Sequence, residues 1–384
     1  MRIAHLLSAP RREGGAEAHA LGLAAAQAAR GDEVALLHLE PGPDAPASVA
    51  ARPLASGAEA ARVLAETGAE LVHVHGLPLD PAAERTLAAS GVPAVRSLHD
   101  WSFGCASGQR WFRDGSHCAR VHGPACVEGI LVRGCSHRLD VRPALRRLRE
   151  VSALLPPLRA AAAVVVYSEA VAASARATGL ARVHVVPYFV ERPAEPAPHP
   201  GGRDLAFVGR VVGAKGLDVA LRALALAPDA WDELHVAGDG WARPSAERLA
   251  DRLGLGDRVR FHGWLAPDET AALLATASAL LLPSRWPEPF GIAGLEALAL
   301  GRPVVASRGG GVPDWLDESC GLLVAPSDPA ALAAAVTRLA AEPGLAARLG
   351  RAGWERAASF SPARHLELLD AVYASAVAAS REAA

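Results

Sequence analysis

The 384-residue sequence predicts an α/β protein of two doubly wound domains, and three observations lead there. Short Val/Leu/Ile-rich runs alternate with longer Ala/Leu/Arg segments at helical spacing, the pattern of parallel strands covered on both faces by crossover helices. The alternation comes as two series: IAHLL, EVALLHL, LVHVHG, AVRSLHD, AAVVVYS and RVHVVP, then DLAFVGR, ELHVAGDG, RVRFHG, ALLLPS, PVVAS and GLLVAP. Between them stands ERPAEPAPHPGGR, whose prolines and paired glycines continue neither a helix nor a central strand and read as an exposed linker. The expected boundaries are a first domain over 1–190 with an insertion over 101–140, the linker over 191–203, and a second domain over 204–360. A last helix over 361–384, with Ser361 as N-cap and Pro362 at its first position, is placed to pack back on the first domain.

Composition narrows the class. Hydrophobic residues are 51% and charged residues 21%, enough apolar material for two cores and too much for a disordered chain. With 39 basic against 41 acidic side chains, the net charge of -2 creates no field to gather a polyanion, so nucleic acid is not an expected partner. MRIAHLLSAPRREGG has too short an apolar run for a secretory signal, and no stretch of about 20 apolar residues announces a membrane span. Five cysteines, an odd number, suit a reducing compartment, and the expected location is cytoplasmic.

PSRWPEPFGIAGLEALALGRPVVASRGGGVPDWL is the most informative stretch. A strand ends in a proline-stiffened loop bearing Glu288, and a helix opens near Gly291 and runs to about Leu300, where Gly301 and Pro303 stop it. Backbone N–H groups at Phe290, Gly291 and Ile292 and the helix dipole favour an anion at that end. Glu296 lies one turn inside, about 6–8 Å further along at roughly 1.5 Å per residue. Two carboxylates so separated do not share a proton. They suit hydroxyls on either side of a diphosphate, which is the layout of a nucleotide sugar. In FVGRVVGAKGLDVALRAL, Arg210 and Lys215 sit on the loop after a strand, where cations can stabilise a departing diphosphate without a metal ion.

The first domain offers less. Gly14 and Gly15 let the backbone approach a ligand at the next helix, with Glu17 in its first turn, but G-x-G-x-x-G is absent. His99 ends its strand at a carboxyl edge. His73 and His75 share one strand face, with His75 nearer the end and able to line an acceptor pocket.

On these residues the sequence resembles the retaining glycosyltransferases of family 4, whose signature is Glu, seven residues, Glu. Glu288 and Glu296 match it, within the same ALALGRPVVAS and Gly-rich turn at 309–311. The resemblance implies the GT-B fold, two Rossmann-like domains facing a cleft. It implies that Glu288 contacts the donor sugar and Glu296 the ribose, that amides near Phe290, Gly291 and Ile292 contact sugar and phosphate, and that Arg210 and Lys215 hold the diphosphate. It places Gly14 and Gly15 at the cleft and His99 at the sugar or reacting centre. Transfer from a nucleotide-diphosphate sugar to a carbohydrate, lipid-linked or small-molecule acceptor is implied, with retention and no cofactor required, the departing phosphate taking the acceptor's proton. Tyr188 and Phe189 stand where many relatives carry Asn, and Asp314 where relatives often have Glu. A nucleotide-sugar epimerase of the same fold, needing no acceptor, and a non-catalytic nucleotide-binding relative remain as alternatives.

Two features lie outside that reading. Cys105, Cys118, Cys126 and Cys135, with His117, His122 and His137 among them, can form a structural zinc site or disulfide cluster, or remain unpaired thiols; no C-x2-C pair is present. VRGCSHRLDVRPALRRLREVSALLPPL combines Arg133, Arg138, Arg142, Arg146, Arg147 and Arg149 with Leu145, Leu148, Val151, Leu154 and Leu155. It reads either as a basic amphipathic helix in peripheral contact with an anionic membrane or as a surface helix with solvated arginines.

Overall fold

The structure is a computed structural model that describes residues 1–10, 14–56, 59–76, 81–135, 141–342 and 344–383. The chain divides into two compact units, one of Met1–Arg110, Ala119–Tyr188 and Pro362–Ala384, the other of Trp111–Cys118 and Phe189–Ser361.

The first unit runs β1 (Arg2–Leu7), α1 (Gly15–Ala29), β2 (Glu33–His38), β3 (Ala50–Pro53), α2 (Ala60–Thr67), β4 (Leu71–His75), α3 (Pro81–Ala89), β5 (Ala94–Leu98), α4 (Ala125–Leu131), α5 (Val141–Ala160), β6 (Ala163–Val166), α6 (Glu169–Ala177) and β7 (Val183–Val185). Its seven strands are all parallel, in the order β3-β2-β1-β4-β5-β6-β7. The order reverses direction between β1 and β4, so a crevice opens at their carboxyl ends. β3 is the strand the sequence pattern misses. Its four residues AARP are all exposed and it lies at the sheet edge, where neither an apolar run nor freedom from proline is required.

The second unit runs β8 (Leu205–Val208), α7 (Leu217–Leu226), β9 (Leu234–Ala237), α8 (Arg243–Arg252), β10 (Val259–Gly263), α9 (Pro267–Thr276), β11 (Ala279–Leu282), α10 (Ile292–Ala299), β12 (Val304–Ser307), α11 (Val312–Trp315), β13 (Gly321–Val324), α12 (Pro329–Ala341) and α13 (Leu345–Ala357). Its parallel sheet is ordered β10-β9-β8-β11-β12-β13, with the switch between β8 and β11. Strands and helices alternate because each apolar run is short enough for a buried strand and each amphipathic stretch long enough to cross back over it. Leu205, Phe207, Leu281 and Val305 on the strands pack with Leu221, Leu224, Trp231 and Val336 in one core.

α14 (Pro362–Ala383) is the last element and belongs to the first unit. The proline-rich segment 191–203 is mostly exposed but not loose. Ala197 N–H donates to the Leu300 carbonyl, and the fully buried Arg302 donates to the carbonyls of Ala197 and Pro198. The segment is thus held on the second unit, since a buried guanidinium needs acceptors that proline-flanked carbonyls supply.

Candidate functional site

The residues singled out in the second unit gather at the carboxyl ends of β8 and β11. Gly291 caps α10 with φ of +97°, a conformation L side chains rarely adopt, and no side chain caps the helix. The loop before it is pinned from below: the buried Trp315 donates its indole N–H to the Phe290 carbonyl at 2.7 Å. Behind it, Gly311 N–H donates to the Glu288 carbonyl at 2.7 Å. At Gly310, with φ of +60°, a Cβ would stand 1.9 Å from that same oxygen. The Gly-rich turn at 309–311 therefore exists to let backbone meet backbone beneath Glu288.

Glu288 is almost fully buried, yet charged. Burial pushes its carboxyl up, but the Lys215 ammonium and the Ser284 hydroxyl outweigh this and hold it below the usual range. Lys215 Nζ lies 2.7 and 3.0 Å from the two Glu288 oxygens, and the Ser284 hydroxyl donates to Oε1. An ammonium has three hydrogens, so this grip leaves one to aim elsewhere. Arg210, on the loop that follows β8, is exposed. Glu296, on α10, contrasts with Glu288: it makes no hydrogen bond or ion pair with any described residue, and burial raises its pKa.

One neighbour escaped the sequence reading. His117, grouped there with the cysteines, belongs to a short hairpin in which Trp111 bridges to His117. Its Nε2 donates to the Arg285 carbonyl at 2.9 Å, and its ring abuts Gly309. A hairpin that leaves one series of strands to join the other carries no local signal in the sequence.

In the first unit, a pocket of about 280 Å³ opens at the carboxyl ends of β1, β4 and β5, lined by Ser8, Glu17, His75, His99, Asp100 and Arg147 among others. Gly14 is the N-cap of α1, Gly15 its first residue, and the Glu17 carboxylate folds back over Gly14. Behind the pocket lies a buried polar network. His5 Nε2 is 2.6 Å from Gln27 Oε1, and His5 Nδ1 is 2.8 Å from His75 Nε2. His75 Nδ1 is 3.3 Å from His99 Nε2, and His99 Nδ1 is 2.7 Å from the Tyr188 hydroxyl. A second arm joins Gln27 Nε2 to the Tyr373 hydroxyl at 3.3 Å, that hydroxyl to His73 Nδ1 at 2.7 Å, and His73 Nε2 to the Ser97 hydroxyl at 2.7 Å. Burial lowers the pKa of His5 to about 4 and of His99 to about 3, with His73 and His75 well below the ordinary value, so all four are neutral.

Of the alternatives for the cysteines, Cys105, Cys118, Cys126 and Cys135 form no disulfide, and among the described residues the one trio with metal-ligand spacing is His5, His73 and His75. Cys118 lies in the hairpin of the second unit, and the other three belong to the first. His137 lies outside the described residues. The amphipathic-helix expectation for α5 is also modified: Leu148, Val151 and Leu155 face the protein interior. No helix among the described residues is long and apolar enough to cross a membrane.

Residues 13–192 match the sequence model of the family described as Glycosyltransferase Family 4, and residues 202–342 that of Glycosyl transferases group 1. A D-inositol 3-phosphate glycosyltransferase of Streptomyces avermitilis is 39% identical over 173 residues, a match covering 40% of this chain and 37% of that protein. A protein of the same name from Salinispora tropica is 38% identical over 192 residues, 47% of this chain and 40% of its own length. The chain thus spans well under half the length of these curated relatives. Among solved structures, the sucrose-phosphate synthase of Thermosynechococcus elongatus aligns over 99% of this chain and all of its own, with a TM-score of 0.76 at 23% identity. Anabaena HepE in complex with UDP aligns over 98% of this chain and all of its own, with a TM-score of 0.72 at 18% identity. These likenesses establish the GT-B architecture of two Rossmann-like domains. Both halves of the chain are thus matched by glycosyltransferase family models on that scaffold, which supports a group 1 glycosyltransferase.

Proposed function

We propose that this protein transfers a sugar from a nucleoside-diphosphate sugar to an acceptor hydroxyl, with retention of anomeric configuration. The observation that supports this most is the contrast between the two glutamates. Glu296 is a half-buried acid with no partner among the described residues, one turn inside a helix whose amino end lacks a side-chain cap. Its partial desolvation leaves it suited to accept from a ligand hydroxyl. In this reading the ribose hydroxyls meet Glu296 and the diphosphate lies on the amides of Phe290, Gly291 and Ile292. Arg210 and the third hydrogen of Lys215 take the charge that develops on the leaving phosphate. Glu288, charged and fixed by Lys215, accepts from the donor sugar. The acceptor oxygen bonds to the anomeric carbon on the face from which the phosphate departs, and its proton passes to a phosphate oxygen. His99 contributes from the first unit. Binding of UDP by HepE and action on D-inositol 3-phosphate by the curated relatives make a uridine donor and a phosphorylated polyol acceptor the first pair to assay.

A thermal-shift series with UDP, GDP, ADP and dTDP tests this, since a ligand that binds only the folded form raises Tm. One diphosphate should stabilise the wild type and fail to stabilise Glu296→Ala. No shift with any of them, in folded protein, rejects the donor site. Scrambling of donor stereochemistry without an acceptor would instead identify an epimerase, and binding without sugar release a non-catalytic relative.

A peripheral membrane contact is supported by a different surface from the one the sequence suggested. Val121, Val127, Leu131 and Val132 stand 45%, 37%, 57% and 75% exposed on and around α4, a helix in contact with α5, which carries the exposed Arg146 and Arg149. Exposed apolar side chains together with cations on neighbouring helices complement an anionic bilayer.

A further inference from the structure

The pocket-facing His99 is the last of three histidines joined ring to ring, and the chain ends on an amide whose two ends are chemically different. Gln27 meets His5 with its oxygen, at 2.6 Å from Nε2. A carbonyl oxygen only accepts, so His5 must carry its proton on Nε2. A neutral imidazole has one N–H, so His5 Nδ1 is an acceptor, and the His75 Nε2 that lies 2.8 Å from it must donate. The same rule then makes His75 Nδ1 an acceptor and His99 Nε2 a donor across 3.3 Å. His99 Nδ1 is left to accept from the Tyr188 hydroxyl at 2.7 Å.

The other end of the amide fits. Gln27 Nε2 donates to Tyr373, whose hydroxyl hydrogen goes to His73 Nδ1, and His73 Nε2–H donates to Ser97. A reversed amide would reverse every bond in both arms. The trio His5, His73 and His75 has ligand spacing, but all six of its ring nitrogens are spent in these bonds, so a metal ion would have to break the network.

We propose that the Gln27 amide sets the tautomer of His5, His75 and His99 in a single direction, so that His99 meets the pocket as an N–H donor and not as a base. Gln27 is a positioning residue: it touches no ligand and acts through two rings. The longest link in the arm is the 3.3 Å contact from His99 Nε2, so this hydrogen is the one that a hydroxyl oxygen in the pocket can capture. The assignment of His99 to the sugar or reacting centre rests on the function proposed above; the tautomer does not.

Nitrogen NMR of the full chain labelled with ¹⁵N-histidine separates the two tautomers and the imidazolium by their ring-nitrogen shifts. The expected result at pH 7 is Nε2–H for His5, His75 and His99. An Nδ1–H or charged ring at any of the three overturns the proposal, whether or not the protein transfers sugar. For function, Gln27→Leu should lower kcat/KM by about 10–100-fold, the loss typical when a functional histidine loses its orienting partner. Affinity for the diphosphate, held in the other unit, should not change. Gln27→Glu, whose carboxylate also only accepts, should restore most of the rate. Full activity in Gln27→Leu rejects the relay, and if that variant does not fold the wild-type spectrum still decides.

Discussion

Lys215 and Glu288 illustrate how one contact serves stability and chemistry together. Lys215→Ala leaves a carboxylate buried without its cation, and removing one partner of a buried pair costs about 3–5 kcal/mol. The variant should therefore lose stability and activity alike, and Lys215→Arg should recover the first more than the second. Tm and kcat measured on both variants check this. Glu296 behaves oppositely. As a half-buried acid that no described residue partners, with its pKa raised by desolvation, it does not stabilise the unliganded fold, so Glu296→Gln should leave Tm unchanged or slightly higher while donor KM rises roughly tenfold, an exchange of stability against function. A fall in Tm would mean that Glu296 has a structural role. Arg210→Ala removes an exposed cation with no packing, and should leave Tm unchanged while kcat drops about 10²-fold, the scale for one preorganised donor at a developing charge. These residues are legible in the sequence because a turn and one short helix keep Glu288, Gly291 and Glu296 within nine positions. The relay is not. His5, Gln27, His73 and Tyr373 come from four elements, and Gln27 and Tyr373 are 346 residues apart.

At the scale of elements, periodicity serves buried strands best. Every apolar run of the two series is a strand, because parallel strands are covered on both faces and must be apolar throughout. β3 and α4 show the limit. Neither buries enough of its own side chains to leave a pattern, and α4 exposes its apolar residues instead. That exposure gives a test of the membrane contact. Vesicles containing anionic lipid should sediment with the wild type, and Leu131→Glu with Val132→Glu should abolish this without affecting transfer to a water-soluble acceptor. Equal binding by the double variant would remove α4 from the contact.

For the molecule as a whole, the buried histidines set an acid limit. The pKa of each of His5, His19, His73, His75, His99 and His365 is lowered by burial, to about 4 for His5 and His365. The unfolded chain takes up protons below about pH 6.5 while the folded one does not, so stability rises with pH across that window. As pH falls from 6.5 towards 4, each such ring removes up to about 1.4 kcal/mol per pH unit. Glu288 adds a separate loss below about pH 4.5, where its lowered folded pKa means the unfolded chain protonates first. Tm recorded between pH 7.5 and 4.5 should fall steeply from near 6.5; a flat profile would contradict a neutral cluster.

The helix α14 brings Tyr373 to His73, 300 residues earlier in the chain. During synthesis, then, strands made early are completed late. The histidine cluster waits, with a donor and an acceptor unmet, until Tyr373 has emerged 300 residues after His73. A nascent chain stalled before residue 362 should remain a client for chaperones, and emergence of α14 should be the event that frees it.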